Sequence, residues 1–384
     1  MTIVLDRIPR ITTGVGALES LGTLVAGRLG TSGSVLLVAD PGLMTLGLID
    51  EARHALTRSG LAVHLFADIR SDPLATQVDA GAAIARRERV GAVVALGGGS
   101  ALDAGKAIAV VAGSEAPAES YALCAKPFPK TRLLKICVPT TSGTGSETTR
   151  TSIVTDAAGN KVWLWGDELK ADEVVLDPAL TVGLPPALTA ATGIDALVHA
   201  IEASTNRNAF AANDVFCHEA IRLVTRWLLR ALEQPGDLAA REGLQRAATL
   251  AGIGIDNAGT AVAHNIGHAL ASLRPLHHGR AVGVAMLATL PWNVAHDPHG
   301  RWAAVAAAMG QAPEAVAVPR AFERLLRACG IEVGLARDGF ADVTPEALAA
   351  QMARPENTAM RRSNAREIAD EDLLAFARTV LAQS

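Results

Sequence analysis

Short apolar runs bounded by Gly, Asp and Pro recur through the first half of the chain and then stop. Ser34–Ala39, Ala62–Ala67, Gly91–Leu96, Leu133–Val138 and Val174–Leu176 are too short for helices and nearly continuous in apolar character, which suits strands buried on both faces of a parallel sheet. Between two pairs of them, Leu43–Ser59 and Ala75–Arg89 carry helix-period patterns. Strand, helix, strand repeated in this way means a doubly wound α/β domain. After about residue 180 the rhythm changes, and Ala187–Ala203, Ala212–Glu233, Leu238–Asn257 and Ala261–Leu273 read as helices rich in Ala and Leu. Pro185-Pro186 continues neither a helix nor a central strand, so the boundary is placed there, with domains 1–184 and 185–384. A chain of 384 residues is better served by two cores than by one, and two lobes imply a cleft.

Composition removes several function classes. Thirty-five Lys and Arg against 39 Asp and Glu give a net charge of −4, with no basic stripe to neutralise successive phosphates, so nucleic acid is not an expected partner. Cys124, Cys137, Cys217 and Cys329 are widely spaced, without a CxxC pair, and read as thiols in a reducing compartment. With 49% hydrophobic but only 3% aromatic residues, the core must be filled by Ala, Val, Leu and Ile. The first seven residues meet Asp6 and Arg7 before a signal-peptide core can form, and the apolar stretch Ala281–Ala295 is shorter than a membrane span and holds Pro291 and Asn293. A soluble cytoplasmic protein with no membrane partner is expected.

Gly97-Gly98-Gly99-Ser100 leaves the apolar run ending at Leu96 and precedes Ala101–Ala112, which has helical composition. Such a turn presents backbone amides and the positive end of a helix to a pyrophosphate; an ordinary strand-to-helix turn looks the same. It is neither GxGxxG nor a Walker A loop. A second loop, Pro139 to Glu147, leaves the next strand at the same sheet edge and supplies hydroxyls and flexible backbone. Asp40 ends the strand Ser34–Ala39, where it either accepts from ribose hydroxyls, favouring NAD over NADP, or caps the turn that begins at Pro41.

Asp195 and His199 are spaced i, i+4 on one face of a helix, His264 and His268 repeat that spacing on a later one, and His277-His278 follow in a turn. Five of the chain's ten histidines thus fall at ordered places among apolar residues, where unpaired imidazoles are costly. Asp195, His199, His264 and His278 make a complete set of three nitrogens and one oxygen for a divalent cation, either Fe²⁺ or Zn²⁺.

At these residues the chain resembles the iron-containing (group III) alcohol dehydrogenases of the dehydroquinate synthase-like superfamily. Gly97 to Lys106 is similar to the family's GGGS-x2-D-x2-K, and Pro139 to Glu147 to its PTT-x-GTGSE. Asp177-Pro178-Ala179-Leu180-Thr181 with Leu184-Pro185 is similar to DP-x-LT and LP, Thr192 to Ala203 to TG-x-DAL-x-HA-x-E, and His264-x3-His268-x9-His278-Gly279 to the histidine signature. The resemblance implies an N-terminal Rossmann-like dinucleotide-binding domain, a C-terminal helical metal-binding domain and catalysis in the cleft. It implies Asp195, His199, His264 and His278 as metal ligands and His268 nearby without binding metal. It also implies Gly97, Gly98, Gly99, Ser100, Asp103, Thr140, Thr141, Thr144 and Lys161 around the cofactor, with Asp40 at the adenosine ribose.

The expected activity is that of an NAD(H)-dependent, metal-dependent alcohol dehydrogenase or aldehyde reductase on a small alcohol or aldehyde, with His268 relaying a proton, in a homodimer or higher homo-oligomer. A maleylacetate reductase would carry Asn at position 195, and a lyase resembling dehydroquinate synthase would return its cofactor unchanged. The chain departs from the family at Gly254-Ile255-Asp256-Asn257, at Ala269-Leu270-Ala271-Ser272, at Arg274 and at His277. Arg274 is expected either to pair with Asp256 or to hold a substrate anion.

Overall fold

A computed structural model describes residues 4–131, 133–297 and 299–383. The chain divides into two compact units. Arg7–Thr141 and Ser146–Leu184 form one; Ser142–Gly145, the described residues before Arg7, and the chain from Pro185 onward form the other.

The first unit is built on a six-stranded sheet in the order β1-β8-β5-β4-β2-β3, in which every pairing is parallel. Its strands are β1 (Arg10–Thr13), β2 (Ser34–Ala39), β3 (Ala62–Phe66), β4 (Ala92–Gly97), β5 (Leu134–Pro139) and β8 (Glu173–Leu176), while β6 (Thr151–Thr155) and β7 (Lys161–Trp165) form a separate antiparallel hairpin. β2, β4 and β5 carry the long apolar runs and are almost wholly buried, because helices cover both faces of a parallel sheet. One face packs Leu36, Val38 and Val93 with Val78, Ile108 and Val110; the other packs Val35, Leu37 and Val94 with Leu21, Val25 and Leu56. From β2 the chain moves outward to β3, and from β4 it moves the opposite way to β5, so the order reverses between β2 and β4. In open α/β sheets a ligand crevice forms outside the carboxyl ends of the strands at such a reversal.

The second unit is all helix, described from Pro186–Thr205 to Asp370–Leu381. Pro186 is the first residue of the helix Pro186–Thr205, where a missing N–H costs nothing, and every residue from Thr189 to Thr205 is buried. That helix packs against Ala211–Glu233, Leu238–Ala258 and His278–Val294, and the core between them is Ala, Leu, Ile and Val. Small side chains let helices approach closely, which is how a chain so poor in aromatics fills its interior.

One expectation changes here. The helix expected over Leu43–Ser59 is two elements, a 3₁₀ turn Pro41–Leu46 and a helix Leu48–Arg58, broken by Gly47 at φ +73°. The short strand β1 and the β6–β7 hairpin were not anticipated; the six helices from His278–Val294 to Asp370–Leu381 agree with the helical character expected of 185–384, although no bounds were assigned to them. Among the described residues no helix is long and apolar enough to cross a membrane.

Candidate metal centre and cofactor loop

The helix Pro186–Thr205 places Asp195 and His199 one turn apart on a single face. The helix Val262–Leu273 brings His264, and His278 opens the helix His278–Val294. One donor atom from each of these four residues lies within 4.8 Å of the others. Asp195 Oδ1 is 3.7 Å from His199 Nε2, 3.9 Å from His264 Nε2 and 3.5 Å from His278 Nε2. Four ligand atoms about 2.1 Å from one cation would lie about 3.4 Å apart in a tetrahedral arrangement. Asp195, His199 and His264 are buried, and His278 is the one of the four partly open to solvent.

Asp195 Oδ1 and His264 Nε2 are buried and have no hydrogen-bond partner among the described residues. Bare lone pairs gathered in an apolar interior are unfavourable unless a cation completes them. The donor set therefore fits a divalent metal. Burial, reinforced by the neighbouring His199 and opposed by Asp195, pushes the His264 imidazole down to about 3 and keeps it neutral, the form a metal binds.

Two features shape the cluster from outside. A side chain at Gly279 would start 2.0 Å from the carbonyl oxygen of Ala191 and 3.2 Å from Asp195 Cβ, so glycine alone lets the His278 turn close on the ligand helix. Glu202, buried on the ligand helix, accepts the N–H of Ala261 and of Ala263 at 2.7 Å each and meets His264 Nδ1 at 2.6 Å. Burial pushes the Glu202 carboxyl up to about 7, against those backbone hydrogen bonds, which favour the carboxylate. Glu202 lies within the Thr192–Ala203 motif with no role expected of it, although its position three residues past His199 and seven past Asp195 puts it on the same helix face.

His268 lies beside the cluster, its ring 5.2 Å from that of His278 and 6.2 Å from that of His264. Arg274 does not face Asp256. Its guanidinium binds both carboxylate oxygens of Asp342, at 3.0 and 3.1 Å, and the carbonyl of Gly339. The expected pairing is thus corrected, because the segment around residue 340 of the same unit satisfies the guanidinium locally.

In the sheet unit, Gly97 ends β4 at φ +147°, and a Cβ there would stand 2.7 Å from Ala101 Cβ and 3.2 Å from Asp40 Cβ. The turn thereby brings the end of β4 against the end of β2, on the two sides of the reversal. Gly98 is the N-cap of the helix Gly99–Val111 and supplies no side-chain acceptor, so that helix presents an uncapped N-terminus. Thr140 donates its N–H to the Gly97 carbonyl, and a side chain at Gly98 would press on Thr141. Asp40 caps its own turn by accepting from Gly42 N at 2.8 Å. Ser100 Oγ accepts the N–H of Asp72, whose carboxylate pairs with Lys161 at 2.8 Å, so Lys161 reaches the turn through Asp72. Asp103 accepts from Ser146 Oγ and Ile153 N and lies 3.4 Å from the buried Lys106, tying down the segment that follows the second loop. Thr144 falls in Ser142–Gly145, which belongs to the helical unit.

The family model described as iron-containing alcohol dehydrogenase matches residues 9–178, and that of the Fe-containing alcohol dehydrogenase family, C-terminal, matches residues 189–381. Long-chain-alcohol dehydrogenase 1 of Geobacillus thermodenitrificans is 37% identical over 280 residues, 72% of this chain and 70% of that protein. The chain belongs to the iron-containing alcohol dehydrogenase family. The NAD-dependent methanol dehydrogenase of Bacillus methanolicus is 32% identical to this family member over 349 residues, 89% of this chain and 91% of the relative. The crystal structure of sulfoacetaldehyde reductase from Bifidobacterium kashiwanohense in complex with NAD⁺ matches it with a TM-score of 0.91 at 27% identity, covering 100% of both chains. The protein is accordingly an oxidoreductase of the alcohol dehydrogenase type.

Proposed function

We propose that this family member is an NAD(H)-dependent, divalent-metal-dependent enzyme that interconverts a small alcohol and its aldehyde. The observation carrying the reading is the buried, partnerless Asp195 Oδ1 among three imidazole nitrogens. Asp195, His199, His264 and His278 hold Fe²⁺ or Zn²⁺, both of which accept this donor set. When bound, the cation supplies Lewis acidity toward a substrate oxygen and the nicotinamide supplies or accepts the hydride. The partial exposure of His278 marks the side from which a small substrate reaches the cluster. His268 holds or releases the alcohol proton at a ring nitrogen, since an imidazole can both accept and donate a proton.

In the sheet unit, the amides of Gly99 and Ser100 and the helix behind them receive the cofactor's pyrophosphate. Gly97 and Gly98 keep that approach free of side chains, with Thr140, Thr141 and Lys161 around it. Asp103 fixes the neighbouring segment. Asp40 receives ribose hydroxyls on whichever lone pairs Gly42 leaves and repels the 2′-phosphate of NADP. The names of two relatives, one NAD-dependent and one in complex with NAD⁺, support the same choice. Asp195 itself counts against a maleylacetate reductase.

The test is a screen of small neutral and acidic aldehydes against NADH and NADPH with protein reconstituted in Fe²⁺ or Zn²⁺. Net NADH oxidation with at least one aldehyde is expected. Turnover without net change in NADH would assign the lyase chemistry instead.

A further inference from the structure

The four proposed ligands come from three helices, and something must hold those helices in register when the cluster is assembled. Glu202 is the residue that joins two of them. It stands on the helix that carries Asp195 and His199, yet both its oxygens are engaged at the start of the helix that carries His264.

That start lacks its own cap. The N-cap residue is Ala261, at φ −136° and ψ −144°, and no side-chain cap bond is made there. A helix N-terminus needs acceptors for its first amides, usually from a local Ser, Thr, Asp or Asn. Here they come from a carboxylate 59 and 61 residues earlier in the chain: Oε2 accepts from Ala261 and Oε1 from Ala263. Acceptor oxygens at this end also complement the helix dipole.

The third contact makes this cap chemically specific. Oε2, already an acceptor for Ala261, lies 2.6 Å from His264 Nδ1. An acceptor in that place favours the imidazole tautomer with its proton on Nδ1. The lone pair then falls on Nε2, the buried and partnerless nitrogen 3.9 Å from Asp195 Oδ1. Ligand histidines are commonly oriented by such a partner on the second ring nitrogen.

We propose that Glu202 is a positioning residue: it caps the His264 helix from the neighbouring helix and, through Nδ1, aims the Nε2 lone pair of His264 at the metal. The inference rests on the reading of Asp195, His199, His264 and His278 as ligands, and two measurements keep its fate separate from that reading. The first is the histidine tautomer in metal-free wild-type protein, read from ¹⁵N shifts and long-range ¹H–¹⁵N couplings of His264, assigned by its loss in H264A. The Nδ1–H form is expected; an Nε2–H form overturns the proposal whether or not any metal binds. The second is Co²⁺ titration of the metal-free wild type and E202Q, followed by visible absorption, with far-ultraviolet circular dichroism to establish that both are folded. The amide of E202Q cannot accept on both ends, so at least one of the three contacts becomes a donor facing a donor: Ala263 if the nitrogen takes the place of Oε1, Ala261 and His264 Nδ1 if it takes that of Oε2. Co²⁺ affinity is expected to fall by about 10- to 100-fold, as for other partners of ligand histidines. A folded E202Q that binds Co²⁺ as tightly as the wild type, with the same spectrum, overturns the proposal. If E202Q does not fold, the wild-type tautomer decides. If wild-type protein takes up no Co²⁺ while its His264 carries the Nδ1 proton, the metal reading fails and the orienting role of Glu202 on His264 survives as a structural one.

Discussion

The glycine turn of the sheet unit and the ligand cluster of the helical unit are built by opposite means. At Gly97–Ser100 the working parts are backbone amides, and what matters in the sequence is the side chains that are missing. At Asp195, His199, His264 and His278 the working parts are side-chain lone pairs from three helices, positioned by Glu202 and by the bare Gly279. The first is a local device that needs one strand, one turn and one helix. The second is non-local, spans residues 195–278, and holds two buried polar atoms, Asp195 Oδ1 and His264 Nε2, with no hydrogen-bond partner among the described residues. The two should therefore fail differently under mutation.

The largest separation is expected from Asp195→Ala, which removes the only anionic ligand. Metal content should fall to background and kcat/KM by at least about a thousand-fold, equivalent to about 4 kcal/mol of lost transition-state stabilisation. NADH affinity, measured by fluorescence, should stay within about threefold of wild type, because the cofactor contacts proposed above lie at the Gly97–Ser100 turn and at Asp40 and do not include Asp195. Loss of both ligands together would show that the sites are not separable.

Gly97→Ala is the converse experiment. The residue stands at φ +147°, and the added methyl would meet Ala101 Cβ at 2.7 Å. The strain is worth about 1–3 kcal/mol. Tm should drop and NADH binding should weaken about tenfold or more, with one metal per chain retained. Unchanged NADH affinity would make the turn an ordinary strand-to-helix connection.

How far each region was legible in the sequence follows the same division. The turn was readable because strand, Gly97-Gly98-Gly99-Ser100 and helix are contiguous, and β2, β4 and β5 announced themselves by unbroken apolar runs. β1 was not, since Arg10–Thr13 is four residues long with only one large apolar side chain, and the β6–β7 hairpin mixes Thr, Lys and Trp without a clear alternation. The candidate cluster was readable from the i, i+4 pairs Asp195–His199 and His264–His268 and from His278 in the turn that follows, but the partner of His264 was not. Glu202 lies 62 residues away, and only the packing of two helices brings it there. Arg274 failed for the same reason: its partner Asp342 is 68 residues distant, and sequence proximity pointed to Asp256 instead.

A smaller effect is expected at Asp40, which serves the turn as a cap whatever else it does. In Asp40→Ala, kcat/KM for NADPH relative to NADH should rise by at least about fivefold, since two like charges about 4 Å apart repel by about 1 kcal/mol even in water. Losing the cap should cost about 1 kcal/mol of stability. A lower Tm with no change in cofactor ratio would reduce Asp40 to its capping role.

The smallest effect belongs to Arg274→Met. Its pair with Asp342 is on the surface, so stability should change by no more than about 1 kcal/mol. KM values for neutral and acidic aldehydes should remain in their wild-type ratio; a selective rise for acidic aldehydes would return Arg274 to the substrate site.

The central claim, one cation held by side chains and required for turnover, is tested most directly by anaerobic titration of metal-free enzyme with Fe²⁺, and in parallel with Zn²⁺, while NADH oxidation by an aldehyde substrate is followed. For at least one of the two metals, activity should rise linearly and break at one equivalent per chain, with no response in Asp195→Ala. Full activity in protein shown to be metal-free, or a rise that does not depend on Asp195, would contradict the account.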